Sequence, residues 1–419
     1  MNKKAASFLN TNGAKSFFSA LISILCGLAV GCVIIIAVSV FDKDFTLKSA
    51  FEGVQLLIFG IFSKGRDAAG ELVFGFSTSN MGNLLFRATP VIMTGLSVAL
   101  AFRSGLFNIG ASGQYLMGTA AALTVALSLD TESLSAPLVW FAAFVSSLIA
   151  GALWGIIPGF LRAYFNINEV LSCIMTNWIA ANLVTWIFEN SPLRNASQSG
   201  KIGYIMPASA NGVATPLFGL DRIFPSSQVN GGIIIAVIFS VLCYVLLTKT
   251  VTGFEMRICG SNPHAAHYVG IRRKRMTLFS MALAGALSGG GAALYYLSGH
   301  TEFFWSTYQT LPAEGLNGIP VALLASNNPI AVIFTALFMS LLGVSGQQLK
   351  TLTAFSEFTT DIVVSLIVYL SAFSLMIKQY LSGRKEKLSL VSTKAAGGKS
   401  ENTVPVYQGK LNEESEGNK

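Results

Sequence analysis

Charge is what this sequence has least of. Of 419 residues, 28 are Lys or Arg and 20 are Asp or Glu, so 11% carry a charge. An ordinary soluble domain carries about 25%, and a globule of this size could not clothe its surface with so few. Histidine is scarcer still, at three. The five cysteines (Cys26, Cys32, Cys173, Cys243, Cys259) lie in apolar runs or a basic loop, with no C-x-x-C and no metal-ligand spacing. They read as small packing residues, which argues against a metal centre or a disulfide framework. No G-x-x-x-x-G-K-[ST] phosphate loop occurs, so any nucleotide hydrolysis falls to another subunit. Paired carboxylates and His/Ser groupings at one depth are also missing, which argues against a membrane-embedded enzyme.

Apolar length is what the chain has in abundance. Hydrophobic residues make up 52% of it, and stretches 16–41, 104–129, 133–161 and 315–349 contain no charge at all. About 20 apolar residues cross a bilayer's hydrocarbon core, so the fold class is an all-α polytopic membrane protein. Spans are predicted near 17–41, 86–103, 106–129, 136–161, 168–188, 230–248, 276–299, 310–326, 329–346 and 361–378. The first run is too long for a signal-peptide core of about 7–15 residues and is expected to stay as the first span. The 315–349 stretch is too long for one span and is expected to break at Asn327, Asn328 and Pro329, because proline cannot continue the hydrogen-bonding pattern of a helix. Residues 72–86 are uncharged and read as a short re-entrant or interfacial segment.

Ten spans put both termini on one side. That side collects 19 of the 28 basic residues, among them Lys15, Arg103, Arg162, Lys249, Arg257 and the run Arg272 to Arg275, but only 7 of the 20 acidic ones. The positive-inside rule then predicts both termini in the cytoplasm. The net charge of +8 is thereby a membrane-orientation signal rather than a sign of nucleic-acid binding. Residues 1–381 form the expected transmembrane domain, with an outside loop at 189–230 and a cytoplasmic loop at 249–275. Residues 382–419 read as a disordered polar tail.

Two segments carry functional signals. In the 249–275 loop, Asn262 is a good N-cap, Pro263 suits the first helical position, Ala265 and Ala266 favour helix, and Gly270 supplies a left-handed stop. A helix of about two turns follows, containing His264 and His267 and preceded by Arg257 and Gly260. Its bland reading is a cap over the membrane face. The sharper one is a helix seated in a groove of a cytoplasmic partner that supplies mechanical work. The second segment, 102–115, places Phe102, Phe107, Asn108, Gln114 and three glycines at the start of a span. It reads either as a tight turn with small-residue packing or as a discontinuous helix beside a translocation path. A similar irregularity recurs at Pro312, Gly315, Asn317, Gly318 and Pro320, five spans later and entering from the opposite side. A five-plus-five inverted repeat with paired broken helices is one way to build such a pattern.

These stretches, together with 159–180 (Gly159, Arg162, Glu169, Asn177, Trp178), resemble the permease subunits of binding-protein-dependent ABC importers. The branch is that of nucleosides and simple sugars, related to ribose and branched-chain amino-acid permeases. The resemblance spans roughly 85–405 and departs from the usual family pattern at Ser112, where an acidic residue is common. It implies a bacterial plasma-membrane permease that is not itself an enzyme. The implied partners are a second, homologous but different permease chain, ATP-binding subunits that hold the ATP and magnesium, and an extracellular substrate-binding lipoprotein. The helix from Asn262 to Gly270, including His264, corresponds to the family's coupling helix. A neutral cargo rich in hydroxyl and amide groups calls for amides and aromatic faces along its path. Phe102, Phe107, Asn108, Gln114, Asn177, Trp178 and Asn317 fit that need, although interhelical hydrogen bonds or lipid-facing aromatics account for them equally well. The expected cargo is a nucleoside, with a simple sugar as the alternative. A secondary carrier is a weaker alternative, since the carboxylates fall at span ends. Neither cofactor nor metal is expected in this chain, and no nucleic-acid partner.

Overall fold

The computed structural model describes residues 12–41, 47–195, 203–305 and 311–355, with isolated positions between 362 and 370. The chain opens with α1 (Asn12–Phe41) and α2 (Leu47–Phe59), followed by a two-stranded antiparallel hairpin, β1 (Ser63–Arg66) and β2 (Leu72–Phe74). The helices α3 (Thr78–Arg103), α4 (Ala111–Ser128), α5 (Ala136–Phe165) and α6 (Glu169–Glu189) come next. A loop with one helical turn, α7 (Leu220–Ile223), leads to α8 (Gly232–Lys249). Two short helices, α9 (Val251–Ser261) and α10 (Pro263–Tyr268), precede α11 (Arg273–Tyr296), α12 (Ala313–Leu324) and α13 (Pro329–Leu352). Among the described residues, α3, α5, α6, α8, α11 and α13 are each long and apolar enough to cross a membrane. The expected tenth span, 361–378, and the polar tail lie largely or wholly outside the described residues.

Three expectations need revision. The 72–86 segment is not re-entrant: it supplies β2 and the first turns of α3, which starts at Thr78 because the Ser77 side chain accepts from the Asn80 N–H. Arg66 then ties the hairpin down, pairing with Glu52 at 2.6 Å and donating to the Leu352 carbonyl at the end of α13. The expected span at 310–326 is a 12-residue helix, about 18 Å long against a hydrocarbon thickness of about 30 Å. The expected carboxylate-free interior is also wrong at one position, Glu314, described below. The predicted break is in place: Ser326 and Asn327 take left-handed backbone conformations, and Asn328 caps α13 by accepting from the Ile330 N–H at 3.0 Å.

The helices α3 and α11 form the centre. Helix α3 is almost wholly buried, whereas α5 and α8 keep broad exposed faces that are left for lipid or a neighbouring chain. The central seam is α11 against α5, and its closeness is dictated by glycine. Gly151 and Gly155 on α5 meet Gly285 and Gly289 on α11 so tightly that a Cβ on Gly151 or Gly285 would collide with the other's carbonyl. Small residues every fourth position are how helices pack where lipid removes the hydrophobic driving force between them.

Candidate functional site

Two helices begin inside the bundle rather than at its ends. The N-termini of α4 and α12 meet where Gly315 abuts Ser112, leaving only 2.5 Å between a built Gly315 Cβ and the Ser112 Cα. Each first turn is held by a hydroxyl from a central helix. Thr94 Oγ1 of α3 donates to the Glu314 carbonyl at 2.8 Å, and Ser288 Oγ of α11 donates to the Ala111 carbonyl at 2.6 Å. The two contacts are reciprocal, with α3 serving α12 and α11 serving α4. Helix N-termini carry unpaired N–H groups and positive partial charge, so two of them converging make a locus for acceptor-rich groups.

Beside this junction lies a cavity of about 630 Å³ whose polar lining includes Arg87, Glu314, Asn317, Ser340 and Gln347. Glu314 sits in the first turn of α12, where a carboxylate favours the helix dipole. Arg87 donates to Gln347 Oε1 at 2.8 Å, crossing from α3 to α13. The Ser340 hydroxyl has no hydrogen-bond partner among the described residues. Of the seven cargo contacts expected from sequence, only Asn317 lines this cavity.

The other six are placed differently. Asn108 and Gln114 exchange two amide hydrogen bonds, at 2.8 and 3.1 Å, and Asn108 also donates to Ser97. Asn177 accepts from the Gly113 N–H at 2.9 Å and donates to the Ile109 carbonyl at 3.0 Å. These three buried amides therefore have partners within the chain and hold the irregular 104–110 turn in place below α4. Phe102 and Phe107 pack ring on ring, 5.0 Å between centroids, and both are half-buried. Trp178 faces outward from α6, 52% exposed. Sequence reasoning missed Glu314, Arg87 and Gln347. The only hint was the Glu314-Gly315 pair just after Pro312, a helix start indistinguishable in sequence from one at a membrane end.

The short loop helices form as their residues dictate. Asn262 Oδ1 accepts from the Ala265 N–H at 3.0 Å, Pro263 takes the first position of α10, and Gly270 closes it with φ +77°. Ala266 is fully buried and so seats α10 on the bundle. His264, His267, Tyr268 and Val269 face away, with Tyr268 89% and Val269 68% exposed. Gly260, at the end of α9, packs on the backbone of the 104–110 turn: a Cβ there would lie 2.6 Å from the Arg103 carbonyl. A continuous line of contact thus runs from α10 through Gly260 to the turn that Asn108 and Gln114 lock, and on to the α4–α12 junction. The Arg257 Nε in α9 is buried with no partner among the described residues. Burial pushes the Cys259 thiol up from its ordinary value, in keeping with a packing role.

Residues 80–372 match the family model described as the permease component of branched-chain amino acid transport systems. The chain belongs to this family. It is similar to the guanosine ABC transporter permease protein NupP of Bacillus subtilis, 32% identical over 88% of this chain and 96% of that one. It also resembles the nucleoside ABC transporter permease protein NupB of Lactococcus lactis, 34% identical over 77% of this chain and 87% of the relative. The glucose ABC transporter permease protein TsgB13 of Haloferax volcanii is 33% identical over 76% and 83%. The chain is therefore a multi-pass permease, and the elements preceding Thr78, α2 and the β-hairpin among them, lie ahead of the family-matched region.

Proposed function

We propose that this permease is the transmembrane subunit of an ATP-driven importer of nucleosides, working with a second permease chain, ATP-binding subunits and an extracellular binding lipoprotein. The observation that carries the reading is the likeness to permeases named for guanosine and nucleosides over 77–88% of the chain. In this account ten crossings, the short α12 carrying one of them inside the bundle, place both termini, the 104–110 turn and α10 on the cytoplasmic face. The loops at 63–77 and 203–230 face outside.

The cavity is lined by Arg87, Lys350 and Glu314 as well as by amides, and the amides and the carboxylate suit a hydroxyl-bearing cargo. Asn317 and Gln347 offer both donors and acceptors, and Glu314 accepts from sugar hydroxyls. Both orientations of a nucleoside's amide edge are thus met by side chains that lose little on changing partners. On the cytoplasmic side, Tyr268 and Val269 form the surface that enters the ATP-binding subunit. ATP binding and hydrolysis there move α10, and Gly260 passes the displacement to the turn below α4. Ala266 and Gly270 shape the helix and need not touch the partner.

A sugar cargo is the second reading, favoured by the likeness to a glucose permease. Competed uptake separates the two. Cells carrying the full transporter, with and without this chain, are offered labelled guanosine beside excess uridine, ribose or glucose. Chain-dependent uptake competed by uridine and untouched by free sugars is the expected result. Competition by sugars alone would move the cargo to the sugar side.

A further inference from the structure

A second cavity, of about 930 Å³, opens between the last turn of α5 and the first turn of α11. Arg162 lines it from α5, and Arg272, Arg273, Lys274 and Arg275 line it from the start of α11. Arg162 is paired with Glu169 at 3.2 Å, but no ion pair reaches the other four among the described residues. Glu255 lines an adjoining cavity with Arg272 and Arg275 without approaching either to ion-pair distance. Four consecutive cations thus stand at a helix start that has no acidic residue in its first turn. The positive end of the helix dipole adds to their mutual repulsion, so an anion in this cavity would be stabilised.

The walls show what kind of anion fits. Lys274 Nζ lies 4.7 Å from the centre of the Tyr164 ring. Tyr164 packs on Phe160, and Phe160 packs on Phe165. These three rings are 52%, 44% and 64% exposed, forming an aromatic surface of the kind found where protein meets the headgroup level. A cationic mouth above exposed aromatic rings matches a molecule with a phosphate head and apolar chains. A soluble phosphate has no use for the rings.

We propose that this cavity binds the headgroup phosphate of an anionic phospholipid, with the acyl chains lying along Phe160 and Phe165. Basic pockets between membrane helices bind such headgroups, each nearby cation adding about fivefold in affinity. The site does not depend on which cargo the permease moves.

The test uses the intact complex, exchanged into nanodiscs of phosphatidylcholine with or without phosphatidylglycerol and then re-extracted in detergent. Native mass spectrometry reads the lipid retained. The natural protein is expected to keep phosphatidylglycerol in preference to phosphatidylcholine. The triple variant Arg273→Gln, Lys274→Gln, Arg275→Gln should bind it on the order of a hundredfold more weakly. A charge-keeping variant, Arg273→Lys with Arg275→Lys, should retain it, which separates lost binding from lost folding. Arg222→Gln, which removes a cation from the α7 turn, should have no effect. Equal retention by the triple variant would overturn the proposal. So would displacement of the lipid by inorganic phosphate at matched concentration, which would mark a free-anion site. Loss of the ATP-binding subunits from the triple variant with lipid unchanged would assign the cations to that partner instead.

Discussion

The polar residues of this permease divide into those that hold the chain together and those left with capacity for a ligand, and sequence alone does not separate the two. Asn108, Gln114 and Asn177 look like cargo contacts because amides are costly among apolar spans. Their hydrogen bonds instead close on one another and on the 104–110 turn. Asn108→Leu leaves the Gln114 amide buried without its partner, and thermal unfolding in detergent should show a loss of about 1–3 kcal/mol. Removing both amides should cost less than the two single substitutions added together, because the partners share one interaction. Glu314 shows the opposite. It reads as the polar end of a span, yet its carbonyl bonds Thr94, sixteen residues into α3. Only the partner helix reveals that depth. Glu314→Gln and Asn317→Ala should lower the initial rate of cargo uptake while leaving the ATPase activity of the purified complex without cargo near its natural level. Unchanged uptake in both variants would remove the cavity from the cargo path.

Among the elements, α10 was the most legible, since its cap, its first-position proline and its glycine stop are all local signals. Which side of α10 stays exposed was not legible, because six residues give no periodicity to read. Ala266 is buried and Tyr268 exposed, so bulk at the two positions should act differently. Ala266→Trp should unseat the loop and reduce recovery of the folded complex. Tyr268→Asp with Val269→Asp should leave the chain in the membrane at normal level but abolish uptake and weaken co-purification of the ATP-binding subunit. Retained uptake in that variant would remove α10 from coupling. The α5–α11 seam makes the sharpest stability prediction. Gly285→Leu places a side chain where the Gly151 carbonyl already lies, and the variant should fail to accumulate as folded protein when assayed by size-exclusion chromatography. The equivalent contact could not be read from sequence, as glycines at four-residue spacing do not say which helix they meet.

At the scale of the whole molecule, apolar run length carried most of the helical fold, while the distribution of Lys and Arg bears on the proposed orientation. Run length failed where a helix is too short to cross by itself, at α12, and where the long stretch after α1 folds into α2 and a β-hairpin. Both are tertiary outcomes: α12 is held by Thr94 and α4, the hairpin by Arg66 on α13. The proposed orientation is open to cysteine labelling. Tyr268→Cys should react with an impermeant maleimide only in inverted vesicles, and Ser226→Cys only from outside intact cells; the reverse pattern would invert the topology. Removing residues 383–419 should leave uptake unchanged, since that largely polar stretch has few apolar residues to pack against the bundle. The measurement closest to the central claim is accumulation of labelled guanosine by proteoliposomes holding this chain, its partner permease and the ATP-binding subunits, supplied with the loaded binding protein. ATP-dependent accumulation that disappears when this chain carries Tyr268→Asp and Val269→Asp is the result this account predicts. Accumulation that proceeds without ATP, or that survives those substitutions, would contradict it.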